Sequence, residues 1–300
     1  MDPTQYTGDF HRASEPSTGV LLLEFNRQVA ILPRPRADRT SRAPVNAFHD
    51  AQVLWQEMHR IVDDVSNDPD VRCIVLSSAL ENAFTAGLDV TKSELSSGKT
   101  FLDPARRATS LRAHLLKFQA AITSLSRARQ PVVCALFGSS VGLAIDIASA
   151  CDIRVCASNV KFGIFEVNVG LAADIGTLQR FPKIIGNDSK ARELAMIGRP
   201  FGAKEAEEIG FVSEVAQGGR QEVIELALQK AKMIASRSPI AVIGTKEVMN
   251  HSRDHSVDDG LQYVATWNMA MLQSEDTPKA MGSALKRTPV TFDPIAKAKL

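Results

Sequence analysis

Long apolar runs interrupted by single acids set the pattern of this 300-residue chain. Residues 131–137 are apolar, begin at Pro131 and stop at Gly138, which predicts a buried strand ending in a tight turn. From Gly142 onward Leu143, Ile145, Ile147 and Ala148 predict a buried helix, and Asp146 enters the core with it. Residues 152–157 predict a second strand, and the stretch around 162–164 a short third. The segment 165–175 has little periodicity and reads as loop. It carries Glu166 and Asp174 among Phe165, Val167, Val169, Leu171 and Ala172.

Upstream, 20–25 reads as a short strand, followed by an arginine- and proline-rich link over 27–44 that Pro33 and Pro35 bar from being helical. Asn46 is placed to cap a helix reaching Asn67, with Val53, Leu54, Met58, Ile61 and Val62 at helical spacing. A strand at 71–76 follows, and helix followed by strand begins a repeated ββα-type build. A long amphipathic helix is predicted over 104–127. Further on, helices are expected at 188–197 and 203–209, an extended piece at 211–215, and a helical tail at 221–236, 239–250, 257–273 and 276–286. The organisation expected is a flexible arm over 1–19, an α/β core over 20–220, a helical region over 221–287 and a tail over 288–300.

A buried aspartate needs a partner or a task. Two carboxylates sharing one dry pocket do not both ionise easily, so their pKa values separate and leave an acid and a base near neutrality. Proton shuttling by Asp146, Glu166 and Asp174 is therefore one reading. The other is structural: Asp146 caps or bridges within the fold, and the two loop acids are solvated.

Composition narrows the field. A hydrophobic content of 44% supplies a large core, and a formal net charge of +1 gives no global field for nucleic acid or membrane. Residues 131–151 hold one charge, but Asp146 and the Gly-Ser-Ser turn argue against a membrane span. Cys73, Cys134, Cys151 and Cys156 form no Cys-x-x-Cys pair and read as buried thiols in a reducing compartment. The six histidines make no metal-binding cluster, and no G-x-G-x-x-G is present for a dinucleotide. Gly138-Ser139-Ser140-Val141-Gly142 fits a serine nucleophile elbow, with His251 and His255 as the only downstream bases, both in the helical tail. The first residues lack the apolar core of a secretory signal. The ending Ala298-Lys299-Leu300 is similar to a peroxisomal address tripeptide.

The block GSSVGLAID…ACDIRVCA…KFGIFEVNVGLAADIGTLQRFPKIIGN resembles the centre of the crotonase (enoyl-CoA hydratase/isomerase) superfamily, and within it the Δ3,5-Δ2,4-dienoyl-CoA isomerases. The similarity runs over about 20–286. It implies a crotonase-like spiral of ββα units with a C-terminal helical trimerisation region, assembled as a trimer or hexamer. It implies Asp146, Glu166 and Asp174 as the catalytic set, with Asp174 setting the chain apart from hydratases. The segment 83–89 resembles the family's oxyanion and adenine loop, so main-chain N–H groups at Ala86 and Leu143 are implied to hold a thioester oxygen. Ala86, Gly87, Asp89 and Gly142 are the implied substrate contacts. The usual triple glycine before the acid reads Gly142, Leu143, Ala144 here, which bears on how closely a thioester reaches that turn. A 2-enoyl-CoA hydratase and a Δ3-Δ2-enoyl-CoA isomerase stay as alternatives for that reason. A non-catalytic interaction or RNA-binding homologue is the alternative of another class, resting on the arginine-rich link. No metal, redox group or other cofactor is expected beyond the coenzyme A of the substrate, and the peroxisome, through its import receptor, is the expected location, with the mitochondrion as alternative.

Overall fold

Alternation of side chains along the strands explains the architecture. The computed structural model describes residues 1–26, 47–85 and 103–295, with the backbone alone over 47–53. Six strands form the main sheet in the order β1 (His11–Ser17), β2 (Val20–Phe25), β3 (Cys73–Ser78), β5 (Val132–Leu136), β7 (Ile153–Ala157) and β10 (Glu214–Ala216). All neighbours are parallel except β1 against β2. Leu21, Leu23, Ile74, Leu76, Val132, Cys134 and Leu136 pack into the larger core, while Val20, Cys73, Val75, Val133, Ala135 and Val155 pack into a second one. Both faces of the strands are covered, which is why these segments read as unbroken apolar runs.

A second sheet holds β4 (Ala83–Thr85), β6 (Ser139–Val141), β8 (Lys161–Gly163) and β9 (Pro200–Gly202). The chain steps from main sheet to small sheet three times, from β3 to β4, β5 to β6 and β7 to β8, and each step advances one place in both sheets. This makes the structure a spiral of ββα turns. The step after β5 turns at Gly138, whose φ is +52° and where a Cβ would lie 2.1 Å from the Asn82 carbonyl oxygen, so only glycine fits.

Helices fill the layers. α1 (Ala47–Ser66) and α2 (Pro104–Arg127) cover the larger core, with Trp55 stacked on Phe118 at 5.0 Å between ring centroids. α3 (Leu143–Ala150) is buried along its whole length. α4 (Thr177–Ile185), α5 (Asp188–Ile197) and α6 (Ala203–Glu208) follow, and α7 (Arg220–Ala235) closes the second core with Val223, Ala227 and Ala231 at four-residue spacing. α8 (Pro239–Arg253), α9 (Val257–Met271) and α10 (Asp276–Lys286) make the helical tail. Among the described residues no helix is long and apolar enough to cross a membrane.

One expectation needs correction. Residues 1–19 are not a loose arm: a 3₁₀ turn at Pro3–Tyr6 and strand β1 pack on the body, Tyr6 and Phe10 are buried, and the Tyr6 hydroxyl donates to Asp68 at 2.7 Å. The Pro16 in β1 is tolerated because β1 is an edge strand. Helix α4 adds to the expected elements: it carries Pro182 in its second turn, within a helix of only nine residues. The cap assigned to Asn46, the arginine-rich link and the Ala298-Lys299-Leu300 ending lie outside the described residues.

Candidate active site

The site grows from a glycine. Gly142 has φ +56° and donates its N–H to the Gly163 carbonyl at 2.9 Å, which sets the start of α3 against β8. No side chain caps this helix end, so its first N–H groups have no partner within the helix. Leu143 supplies the first of them. Its side chain is buried and closes a narrow apolar cavity with Phe25, Leu54, Leu80, Phe84, Thr85 and Ile147, while Ala144 is fully buried. The bulk that replaces two glycines is thus housed in the core. The other expected donor, Ala86, lies just beyond Thr85 and outside the described residues, as do Gly87 and Asp89.

One turn along α3, Asp146 is 2% exposed. One of its oxygens accepts both the backbone N–H and the hydroxyl of Thr177, each at 2.7 Å. Burial pushes its carboxyl up to about 7; the two Thr177 bonds oppose this, and the neighbouring Glu166 and Asp174 charges add to it.

Glu166 opens a 3₁₀ turn, Glu166–Val169, which ends on Gly170 in the left-handed region. The turn is tied down by Asn168, whose amide donates to the Gly198 carbonyl at 2.8 Å. Glu166 is half-buried, and its Oε2 is buried without a hydrogen-bond partner. Burial raises its pKa, backbone donors oppose the rise, and the Asp174 charge adds to it. A carboxylate with an unoccupied lone pair and a raised pKa is equipped to accept a proton.

Asp174 departs from the expectation of a dry pocket. The residue is exposed in the single chain because Leu171 and Ala172 turn outward with it, although Ala173 and Ile175 on either side are buried. Partial desolvation still raises its pKa, opposed by its own backbone N–H and by His114. Gln119 on α2 donates to the Asp174 carbonyl at 2.7 Å and fixes the backbone there. The three acids predicted from sequence therefore share one electrostatic neighbourhood. Thr177 and Gln119 were missed. The only signal for Thr177 was its place three residues after Asp174, which threonine could occupy for many reasons.

The nucleophile-elbow alternative does not survive the geometry. Ser140 is fully buried and its hydroxyl donates to the Phe137 carbonyl at 3.1 Å, while His251 and His255 stack on each other in the tail, with Tyr263 on His251. All four cysteines are buried free thiols.

Comparison with known proteins gives the family. The enoyl-CoA hydratase/isomerase family pattern matches residues 39–293. A mitochondrial Delta(3,5)-Delta(2,4)-dienoyl-CoA isomerase of Mus musculus is 42% identical over 240 residues, covering 79% of this chain and 72% of the relative. A peroxisomal enzyme of the same name from Arabidopsis thaliana is 40% identical over 239 residues, 78% of this chain and 84% of the relative. The crystal structure of an enoyl-CoA hydratase from Bacillus anthracis superposes with a TM-score of 0.78 over 96% of this chain and 99% of that one, at 23% identity, which speaks to fold alone. The spiral fold and the matched span place the chain in the enoyl-CoA hydratase/isomerase family. Within that family it is most akin, among the relatives compared, to proteins named dienoyl-CoA isomerases.

Proposed function

We propose that the protein converts 3,5-dienoyl-CoA thioesters to 2,4-dienoyl-CoA in the breakdown of unsaturated fatty acids. The observation that carries this reading is the gathering of Asp146, Glu166 and Asp174 in one neighbourhood with all three pKa values raised. A simple double-bond shift needs one carboxylate; moving a proton from C2 to C6 needs two at separate places.

In this mechanism Glu166 takes the C2 proton through its unpartnered Oε2. The C–H electron pair flows toward the thioester, and its oxygen carries the negative charge, held by the Leu143 N–H at the start of α3 and by Ala86. Asp174 then protonates C6, and the double bonds come to rest at C2 and C4. Glu166 ends protonated and Asp174 ionised, so one proton returns between them before the next turnover. Asp146 adjusts the charge seen by Glu166. Coenzyme A enters as part of the substrate, with no further cofactor.

The tail suggests assembly. Val257, Leu261, Met269 and Leu272 on and just after α9, and Met281 and Leu285 on α10, are more than half exposed in the single chain. Further copies of the chain covering them would give a trimer or hexamer. The peroxisome is the location proposed, as for the relative from Arabidopsis thaliana named peroxisomal, with the mitochondrion of the mammalian relatives as the alternative.

The test is ultraviolet absorbance of 3,5-dienoyl-CoA mixed with the purified protein, since the 2,4-conjugated product absorbs at longer wavelength. Growth of that band, abolished in Glu166→Gln and Asp174→Asn, supports the proposal. Hydration of 2-enoyl-CoA without the band overturns it in favour of a hydratase.

A further inference from the structure

Beside the acids lies a polar cleft of about 620 Å³ between α2, α4 and α8, with Arg180 on its wall. Arg180 is half-buried, and its five N–H donors meet little: Nη2 donates to the Thr123 hydroxyl at 2.8 Å, and Nη1 is buried without a partner. Among the described residues no carboxylate lies within ion-pair distance of it. A desolvated cation so placed is costly unless a negative charge lies near.

The sequence makes room for it. A Cβ on Gly176 would lie 1.8 Å from Nη1, and Gly176 has φ +140°, so the guanidinium rests on the bare backbone of the turn that leads into α4. The next residue in that turn is Thr177, which gives both its donors to Asp146. Among the described residues the charges around Arg180 leave one candidate to balance it. Arg127 on α2 and Arg253 on α8 are cations and disfavour its charge, and within the cleft Asp254 is bridged by Lys183 at 2.5 Å while Glu247 accepts from Tyr263. On α3, Asp146 favours the charge of Arg180, with a smaller contribution from Cys151. Asp146 in turn meets the negative charges of Glu166 and Asp174, which make its own ionisation harder.

We propose that Arg180 is the counter-charge of the buried carboxylate set, a positioning residue that holds the Gly176–Thr177 turn and keeps Asp146 ionisable. The catalytic part of this rests on the isomerase reading above; the electrostatic part does not.

The decisive experiment is a ¹³C NMR titration of carboxyl-labelled aspartates, with the Asp146 signal assigned by its loss in Asp146→Asn. Asp146 is expected to titrate at higher pH in Arg180→Met than in wild type, and close to wild type in Arg180→Lys, which keeps the charge. Thr123→Val frees the guanidinium without removing it and gives a smaller shift in the same direction, so the idea stays testable if Arg180→Met does not fold. An unchanged Asp146 midpoint in Arg180→Met, or in Thr123→Val where that variant alone folds, overturns the proposal; so do equal shifts in the Met and Lys variants. With 3,5-dienoyl-CoA, kcat/KM of Arg180→Met at pH 6 relative to pH 8 should fall about threefold or more, and guanidinium ion entering the open cleft should restore it. A wild type inactive on the diene refutes the isomerase reading, while the titration still decides the role of Arg180.

Discussion

Thr177 directs both of its donors, amide and hydroxyl, at a single oxygen of Asp146, 31 residues away in the chain. The pair joins the first turn of α4 to the first turn of α3 and so fixes the distance between the loop that carries Asp174 and the helix that carries Leu143. Both bonds favour the ionised carboxyl and work against burial.

Replacing Thr177 by valine keeps the shape and the amide bond but removes the hydroxyl. The variant should lose about 1–3 kcal/mol of stability, the usual cost of a hydrogen bond to a buried charged group. Asp146 should become harder to ionise, since a bond to its charged form is gone. Urea unfolding at pH 8 checks the first outcome, and carboxyl NMR the second.

Glu166 and Asp174 should fail in different ways if they act at different carbons. Glu166→Gln cannot take the C2 proton, so turnover should fall by roughly two to four orders of magnitude and exchange of the C2 hydrogens with D₂O should stop. Asp174→Asn still permits removal at C2, so exchange there should continue while conjugated product is lost. Mass spectrometry of recovered substrate in D₂O separates these outcomes; identical exchange in both variants contradicts the division of labour.

The acids were legible in the sequence for a physical reason. Asp146 interrupts a helix whose other positions are almost all apolar, and charge is expensive to bury, so an isolated acid in such a run stands out. Strands β2, β3, β5 and β7 of the main sheet were legible because both faces are covered. What escaped were elements whose pattern is set by contacts distant in the chain. Strands β4, β6 and β9 are three residues each, too short to show a period of two. β1 carries a proline that only its edge position tolerates, and α4 carries Pro182. Gln119 looked like an ordinary helix-surface residue and Arg180 lay in a stretch read without a helix, and nothing local shows that Gln119 holds the Asp174 carbonyl or that Arg180 rests on Gly176. The exposure of Asp174 escaped for the opposite reason: apolar neighbours along the chain suggested a pocket, but Leu171 and Ala172 face outward.

Asp146 should make the protein less stable as pH rises, unlike most aspartates. Its folded pKa of about 7 lies above the unfolded value, so between those values the unfolded chain releases a proton that the folded one keeps. Its stabilising contribution is fully present below about pH 4 and is lost as pH climbs to 7. Asp146→Asn keeps an oxygen acceptor for Thr177 and removes the titration. Its stability gain over wild type should be small near pH 4, grow to as much as about 4 kcal/mol by pH 7, and then stay level. Thermal unfolding across that range measures it; a gap that does not change with pH is incompatible with a raised folded pKa.

The helical tail is pinned to the core by one buried cation. Lys246 on α8 is 8% exposed, lies 2.7 Å from Asp152, and donates to the Leu125 and Gln130 carbonyls. The same Asp152 oxygen accepts the Val132 N–H at 2.7 Å, so it joins the start of β5, the chain entering β7 and α8 at a single point. Lys246→Met fits the space but leaves the Asp152 carboxylate with the Val132 N–H and no counter-charge, and two carbonyls without their donor. A loss of about 3–5 kcal/mol is expected, as for other buried pairs broken from one side. Asp152→Asn should cost less, because the amide oxygen still accepts from Val132 and the Lys246 ammonium keeps both carbonyls. Neither residue touches Asp146, Glu166 or Asp174, so carboxyl titrations should be unaltered in both variants. Hydrogen exchange should quicken across 239–286 before it does in β3 and β5, since α8 is the link by which α9 and α10 follow the core. Uniform exchange along the whole chain would instead mean that tail and core unfold as one unit.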